Sequence, residues 1–363
     1  MGSLTSLQKN NGFSLVELLV SIVIGLFILA GATQILLDGR RSYSVQEELS
    51  YLQNNGRFIK DVLARDIKMA GYEGCGISNM PLVNTLRPPA NDEYKLGRAI
   101  SGSQHNGTAW EPALAGEWTS IAGIDTNSDI LELSGIFGAG MRLARAMVNP
   151  SAVLKVQQPA TLQDEEIFFV TDCKRAAIAQ VTNITTTGGS GVDNLVHNPG
   201  GSTSPGNTND PLTSGTPFGT DASVYRFELR RYYIAPSNIS DTQALWRKTN
   251  LDAANELVSG VESLQVQYGV DTTIGSGADD AGDGGANRYL EADSIVNDVA
   301  VTPTWIGWDR VQSVKITLVL RSDREVHSEN TSVTLDGVAY NDRYLRQRIS
   351  FTTRVRNSGL NAP

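Results

Sequence analysis

The sequence has few residues of the kinds that most metal sites and catalytic centres need. It holds two cysteines and three histidines in 363 residues, and the histidines (His105, His197 and His327) are far apart. This set argues against a zinc site, which takes clustered cysteine, histidine and carboxylate ligands. The chain also lacks a G-x-S-x-G nucleophile motif, a P-loop, an H-E-x-x-H pair and a dinucleotide-binding fingerprint. We therefore expect a protein that performs no catalysis.

Positive charge is also scarce. The formal net charge is -9, and no run of lysine or arginine interrupts the acidic balance. Because nucleic-acid binding relies on clustered cations that neutralise phosphates, we predict no nucleic-acid partner. Glycine is abundant at 35 residues, and Gly, Ser, Thr, Asn and Asp crowd several long segments. This composition is typical of a β-rich extracytoplasmic domain with large loops.

One apolar segment near the N-terminus is long enough to span a bilayer as a helix. Residues 13–37 contain one charged side chain, Glu17, and follow a short polar leader whose only charge is Lys9. A carboxylate inside such a segment costs about 2.5–3.5 kcal/mol on insertion scales, so it is rarely without a role. An ordinary secretory signal or a plain signal anchor would leave Glu17 unexplained.

The residues around the end of the leader form a recognisable motif. The run from Gly12 to Glu17, G-F-S-L-V-E, resembles the cleavage and methylation motif of type IV prepilins and type II secretion pseudopilins. The resemblance implies that a prepilin peptidase cuts after Gly12 and methylates the new amino terminus at Phe13. Glu17 is then the fifth mature residue, and its carboxylate can pair with the Phe13 amine of its own or a neighbouring subunit. Loss of Lys9 makes the mature chain more acidic.

The helical pattern continues well past the apolar segment. In residues 46–69 the apolar side chains recur near helical spacing, and the charged ones occupy the other positions, among them Glu47, Glu48, Arg57, Lys60, Asp61, Arg65, Asp66 and Lys68. The apolar set is Leu49, Leu52, Phe58, Ile59, Val62, Leu63 and Ile67. Gly71 is the expected stop. Gly25, Gly31 and Gly39 are either bend points or small residues that permit close helix packing.

These features predict three segments: a leader at 1–12, a helix at 13–70 and a periplasmic head at 71–363. Within the helix, 13–37 is the transmembrane or fibre-core part and 38–70 is amphipathic. The run from Asp66 to Cys75, D-I-K-M-A-G-Y-E-G-C, resembles the helix–head junction of PilW-like minor pilins, with Lys68 where arginine is usual. The resemblance implies an α+β pilin fold, in which a long N-terminal helix packs on a large antiparallel β-sheet-rich head with long loops.

Alternating or apolar runs predict the strands of the head. The predicted strands are 129–133, 166–171, 177–183, 224–234, 244–248, 264–268, 310–321 and 343–356, with 224–234 and 244–248 forming a hairpin. The order of the C-terminal runs also resembles PilW-like and J-type pseudopilin heads. Three segments rich in turn residues predict loops at 91–107, 188–219 and 271–287.

Cys75 and Cys173 lie 98 positions apart. In an exported head they are expected to form one disulfide, the alternative being two buried free thiols. Asp279, Asp280 and Asp283 are weak candidates for a calcium site, although their spacing does not match an EF-hand. We expect no other cofactor. The five tryptophans could line a sugar-binding groove, although core packing is their commoner use: Trp110, Trp118, Trp246, Trp305 and Trp308.

The resemblance implies a minor pilin that primes type IV pilus assembly and lies at the pilus tip. Its expected location is the inner membrane, with a single pass and a periplasmic head, and then the fibre at the cell surface. Its expected partners are the prepilin peptidase, other minor pilins, the major pilin and a tip adhesin. One alternative is a J-type minor pseudopilin of a type II secretion system. Another is a membrane-anchored periplasmic ligand-binding protein or enzyme.

Overall fold

The computed structural model describes residues 14–75, 80–88, 94, 98–114, 121, 123–187, 191–199, 203–271, 285–297 and 306–357. A long N-terminal helix is followed by a large β-rich head, so the fold is α+β, as the sequence predicts. The head contains nineteen strands and two short helices among the described residues.

Helix α1 spans Leu15–Met69 without interruption. It begins at Ser14, whose Oγ accepts a hydrogen bond from the Val16 N–H at 3.4 Å, and such a cap satisfies a backbone donor that the first turn leaves unpaired. It ends where Gly71 adopts a φ of 73°, a conformation that favours glycine. The Gly71 N–H then donates to the Ser134 carbonyl at 2.8 Å, which attaches the helix end to the head.

The remaining elements follow in chain order. They are β1 Leu82–Asn84, β2 Ile100–His105, β3 Trp110–Glu111, β4 Ile130–Ile136, β5 Met141–Arg145, β6 Leu154–Gln157, β7 Ile167–Thr171, β8 Ala176–Gln180, β9 Asn183–Thr187, β10 Val192–Val196, β11 Ser223–Pro236, β12 Gln243–Thr249, β13 Asn255–Ser259, β14 Val261–Val270, β15 Arg288–Leu290, α2 Ala292–Asn297, α3 Ile306–Asp309, β16 Val311–Glu325, β17 Thr331–Leu335, β18 Val338–Asp342 and β19 Tyr344–Arg354.

The first thirteen strands form one large sheet, in which the pairing of β1 with β8 is parallel and the other pairings between these strands are antiparallel. Strand β11 belongs to both halves of this sheet. Its residues 223–226 pair with β5 and β7, and its residues 227–236 pair with β4 and β12. One continuous strand therefore connects the two halves.

The C-terminal strands form a second antiparallel sheet in the order β15-β14-β16-β19. Strands β17 and β18 form a separate hairpin, whose two-residue turn at Asp336 and Gly337 has positive φ at both positions. An Asp-Gly pair between alternating residues is a strong hairpin signal, although this hairpin was not among the predicted strands. The C-terminal half of α1 packs on β16, β19, β4 and β13.

The described residues form four buried apolar clusters, of which the two largest are the helix-side core and the outer core. The helix-side core joins α1 residues such as Leu52 and Leu63 to side chains of β4, β11, β14, β16 and β19. The outer core is built from β5 to β10 and the start of β11, with Phe168 and Leu195 fully buried in it. Among the described residues, the outer core includes no side chain of α1.

The predicted hairpin of β11 and β12 is confirmed, and so are the strands near 129–133, 166–171, 264–268, 310–321 and 343–356. The loop predictions are wrong in two places, because β2 lies within 91–107 and β10 lies within 188–219. The Gly/Ser/Asn-rich composition around these strands concealed them. Residues 272–284 of the third predicted loop lie outside the described residues.

Two assignments on the helix surface are also wrong. Leu49 and Phe58 were assigned to the apolar face but are 39% and 49% exposed. Glu48 and Asp66 were assigned to the charged outer face but are 4% and 1% exposed. Carboxylates are rarely buried unless they are paired, so these two residues require partners in the head.

Candidate assembly site

The N-terminus of α1 is organised around Glu17. Its Oε2 accepts a hydrogen bond from the Ser14 N–H at 3.1 Å, so the carboxylate folds back over the first turn. This arrangement stabilises the helix terminus through a direct hydrogen bond and through the favourable position of a negative charge. Gly12 and Phe13, the predicted cleavage and methylation residues, lie outside the described residues. A chain that began at Phe13 would carry its amine one residue before Ser14, within one turn of Glu17.

The side chains of the apolar half of α1 are all exposed in the described part of the chain. Its large side chains are exposed over at least half of their surface, from Leu15 at 73% to Leu37 at 53%. α1 is long and apolar enough to cross a membrane. Exposure of this many apolar side chains to water is unfavourable by about 25 cal/mol per Å2, so this half requires lipid or other helices around it.

The three glycines in this half do not break the helix. A Cβ added at Gly25, Gly31 or Gly39 would meet nothing within 4 Å, because each faces open space in the single chain. The helix is continuous through all three positions. Small residues on such a surface allow the backbones of neighbouring helices to approach closely.

The docked half of α1 is held by a buried charged network. Arg230 Nη1 of β11 donates to Asp66 Oδ2 at 2.7 Å, and the Tyr232 hydroxyl donates to the same oxygen. Arg230 Nε also donates to Glu228 at 2.6 Å, and its guanidinium lies 4.0 Å from the centre of the Phe137 ring. Asp66 thus receives donors from two neighbouring side chains on one face of β11, which fixes the rotation of α1 against the sheet.

Burial affects the protonation of these groups. Burial alone would lower the pKa of Arg230, but the carboxylates of Glu228 and Asp66 outweigh it and raise that pKa above its ordinary value. Burial, with the charge of Asp66, also raises the pKa of Tyr232, so the phenol remains a hydrogen-bond donor. Arg230 therefore keeps its positive charge, and Tyr232 stays a neutral donor at neutral pH.

Two further contacts hold the helix along its length. The Glu48 carboxylate accepts a hydrogen bond from the Asp323 N–H in β16 at 3.0 Å. At the other end, the Asn357 side chain donates to the Ala70 carbonyl at 3.0 Å. The docked half is therefore held at its start by Glu48, near its end by Asp66 and just beyond its end by Asn357.

A disulfide joins the segment after α1 to the outer part of the head. Cys75 and Cys173 are bonded, with their Cα atoms 5.6 Å apart. Cys173 lies in the turn between β7 and β8, whose strands contribute to the outer core. The bond therefore connects the end of the helix to the outer core, which includes no α1 side chain among the described residues.

A polar cleft lies where the two sheets meet. It is lined by Asp129, Gln265, Gln267, Glu291, Lys315, Asp336 and Arg348 among others. Asp129 Oδ2 accepts a hydrogen bond from the Val266 N–H at 2.7 Å, and the Asp129 N–H donates to the Leu264 carbonyl at 2.8 Å. Burial, with added repulsion from Glu291 and Asp293, raises the pKa of Asp129 to about 7.

The other predicted ligand-binding residues do not come together in the described part of the chain. Asp279, Asp280 and Asp283 lie outside it, as do Trp118 and Trp305. Within it, no three His, Cys, Asp or Glu side chains are grouped to hold a metal ion. Trp308 packs edge-on against Tyr268 with ring centres 4.9 Å apart, while Trp110 and Trp246 contribute to a small core on another face of the large sheet.

Sequence reasoning missed Asp66 and Glu48 as docking residues. Helical periodicity placed both on the polar face, because their side chains are charged and their neighbours in sequence are charged too. The available signal was on β11, where Arg230 alternates with Tyr232 on a strand that is otherwise mostly buried. A cation on a buried strand face requires an anion from an element packed against it.

Comparison with known proteins gives two matches. Residues 231–357 match the family model described as Type IV Pilus-assembly protein W, and residues 7–33 match the model described as Prokaryotic N-terminal methylation motif. No curated protein and no solved structure matches the chain. The first match covers the last six residues of β11 and the strands that follow it, among them β13, β16 and β19, which pack on α1. The second match covers the end of the leader and the start of α1. Together, the two matches support a PilW-like type IV pilin, that is, a pilin-like assembly subunit.

Proposed function

We propose that this chain is a minor pilin that primes assembly of a type IV pilus and occupies the pilus tip. The observation that carries the proposal is the division of α1. Its first half presents an exposed apolar surface with Glu17 at the start, whereas its second half is fixed to the head by Asp66 and Glu48. A helix divided in this way can exchange lipid for the helices of neighbouring subunits without disturbing its head.

The shape of the head supports the tip position. The outer core adds a second body of strands beside the sheet that holds α1, and α1 makes no contribution to it. A bulky head has most room at the end of a fibre, where it has neighbours on one side only. The Cys75–Cys173 disulfide supports a periplasmic head on a single membrane pass, because disulfides persist in oxidising compartments.

The proposed partners follow from this position. The prepilin peptidase removes residues 1–12 and methylates Phe13, and Glu17 then pairs with a Phe13 amine in the fibre. Other minor pilins and the major pilin surround the apolar half of α1, and a tip adhesin contacts the head. The chain itself performs no catalysis and takes no cofactor in this role. It acts through packing of helices and heads.

Deletion and complementation in the bacterium that carries the gene test this proposal. We expect deletion to abolish surface pili while leaving type II protein secretion normal. Wild-type chain and Glu47→Ala should restore pili, because Glu47 is an exposed acid on the same helix. Glu17→Ala should reach the membrane in normal amounts but fail to restore pili.

The alternative functions predict other results. Normal piliation with lost secretion would contradict the proposal and indicate a minor pseudopilin of a type II secretion system. Full restoration by Glu17→Ala would also contradict it, because a membrane-anchored ligand-binding protein does not need the carboxylate.

A further inference from the structure

Among the described residues, the C-terminal strand β19 is paired on one side only, with β16. The Val355 N–H donates to the Gln312 carbonyl at 2.9 Å, and β16 and β19 are antiparallel in one register from Ser313 to Arg321. Backbone groups of an antiparallel strand alternate between its two sides. Residues 347, 349, 351 and 353 therefore bond to β16, whereas the N–H and C=O groups of Arg348, Ser350, Thr352 and Arg354 point away from it.

No other described residue pairs with those outward groups. Of the described strands with ten or more residues, β11, β14 and β16 have partners on both sides, and β19 has a partner only on the β16 side. The side chains of Arg348, Ser350, Thr352 and Arg354 are all exposed. An exposed edge of this length is a template for pairing with another chain.

The surroundings of this edge are basic. Gly56 of α1 lies against Ile349 of β19. The two residues are so close that a Cβ added at Gly56 would be 2.0 Å from Ile349 Cδ1. At about 100° per residue, Arg57, Lys60 and Lys68 lie on the side of α1 away from Asp66, and Lys60 lies about 40° from Gly56, the residue that contacts β19. These three side chains are exposed, and so are Arg354 and Arg356 on the strand itself.

These cations are not neutralised within the described residues. None of Arg57, Lys60, Lys68, Arg354 and Arg356 makes an ion pair there, and Asp61 is the acid on the same helix face. The whole chain carries a net charge of -9, so these five cations form a basic surface on an otherwise acidic protein. A partner with negative charge would gain attraction from both sides of the edge.

We propose that the edge of β19 binds an extended acidic segment of a partner protein, which adds as a further strand beside Arg348 to Arg354. The incoming backbone satisfies the outward N–H and C=O groups, and its carboxylates lie beside the cations of α1 on one face of the sheet or beside Arg354 on the other. A second copy of this chain is a poor occupant, because pairing of β19 with itself would bring arginines opposite one another. This inference does not depend on the proposed pilus function.

A binding experiment with the full chain in detergent micelles tests the proposal. The probe is a fluorescent peptide of about ten residues with alternating valine and glutamate and blocked ends, compared with a valine–lysine peptide of equal length. We expect the acidic peptide to bind and the basic peptide not to bind. Hydrogen exchange should then slow at the amides of Arg348, Ser350, Thr352 and Arg354, while those of residues 347, 349, 351 and 353 are already slow in the free protein.

Variants separate strand addition from simple charge attraction. Thr352→Pro removes an outward N–H that makes no bond to β16, and we expect it to weaken binding about tenfold or more. Lys60→Glu with Arg354→Glu should weaken it by a similar factor. Arg145→Glu, an exposed arginine on β5, is the matched control and should leave binding unchanged.

Three results would overturn the proposal. They are equal binding of the acidic and basic peptides, unchanged binding by Thr352→Pro, and protection that does not follow the alternation along β19. None of these results bears on cleavage at Gly12 or on piliation, so failure of this inference and failure of the proposed function are distinguishable.

Discussion

The helix-side core and the outer core of the head are joined by one strand but are held together differently. In the helix-side core, Asp66 is paired with Arg230 and Tyr232 where α1 meets β11. In the outer core region, the buried carboxylate of Asp193 accepts from neutral donors, the Ala160 N–H and the Thr186 hydroxyl. Apolar packing fills both cores, but an ion pair fixes the orientation of the helix, since charged partners tolerate few alternative positions.

The family match follows the same division. Residues 231–357 supply most of the strands that hold α1, whereas β5 to β10 lie outside the match. The family match therefore covers most of the strands that pack on α1 but not the outer core. The disulfide between Cys75 and Cys173 connects the end of α1 to the outer core.

Substitution of Asp66 should have the largest effect on the difference between the two cores. We expect Asp66→Ala to lower the free energy of unfolding by about 3–5 kcal/mol, because the buried Arg230 would keep only Glu228 as a partner and the Tyr232 hydroxyl would lose its acceptor. Urea denaturation of the full chain measures this loss, and hydrogen exchange should increase in residues 48–69 more than in β7 and β8. Asp61→Ala, an exposed acid on α1, is the control and should change stability by less than about 0.5 kcal/mol. Equal losses for the two variants would contradict the role of the buried pair.

Removal of the disulfide tests the connection between the cores. The paired substitutions Cys75→Ser and Cys173→Ser should cost about 2–5 kcal/mol, because the bond closes a long loop in the unfolded chain. Hydrogen exchange should rise near the turn between β7 and β8 while the docked half of α1 keeps its protection. Loss of protection along α1 as well would show that the cores do not behave as separate regions.

The dependence of stability on pH tests the environment of Asp129, which lies where the two sheets meet. The pKa of Asp129 is about 7 in the folded protein against 3.8 ordinarily, so the folded state binds more protons than the unfolded chain between those values. Stability should fall as pH rises through this range and become level above it. Asp129→Asn keeps an acceptor for the Val266 N–H and should raise stability by about 1–3 kcal/mol at pH 8, with no gain near pH 3.

The matched control for this prediction is Asp61→Asn, which removes an exposed carboxylate from α1. It should leave the dependence of stability on pH close to that of the wild type. A wild-type profile that rises between pH 4 and pH 7 and is unchanged by Asp129→Asn would contradict the assignment.

The smallest expected effect concerns the contact of α1 with β19. Gly56→Ala places a Cβ against Ile349 Cδ1, the flexible end of a side chain, while alanine favours the helix by about 1 kcal/mol over glycine. We expect a net change within about 1 kcal/mol. With Ile349→Val added, we expect Gly56→Ala to increase the free energy of unfolding. A double-mutant cycle by urea denaturation measures the coupling between the two substitutions. Additive effects would show that the two residues do not touch.

The sequence allowed prediction of the elements whose signal is local. The ends of α1, the β11–β12 hairpin and the cores of β16 and β19 follow from capping, alternation and turn residues. Strands β2 and β10 did not follow, since their Ser, Gly and Asn residues have the composition of loops and only tertiary pairing makes them strands. Asp66 and Glu48 did not follow either, because their partners are 164 and 275 positions away.

The central claim is that the chain is a processed pilus subunit, and the most direct test is its mature N-terminus. Intact-mass and N-terminal analysis would be made on chain purified from membranes of strains with and without the prepilin peptidase. The account predicts a chain that starts at N-methylated Phe13 only when the peptidase is present. A chain that keeps residues 1–12 in both strains, or is cut elsewhere, would contradict it.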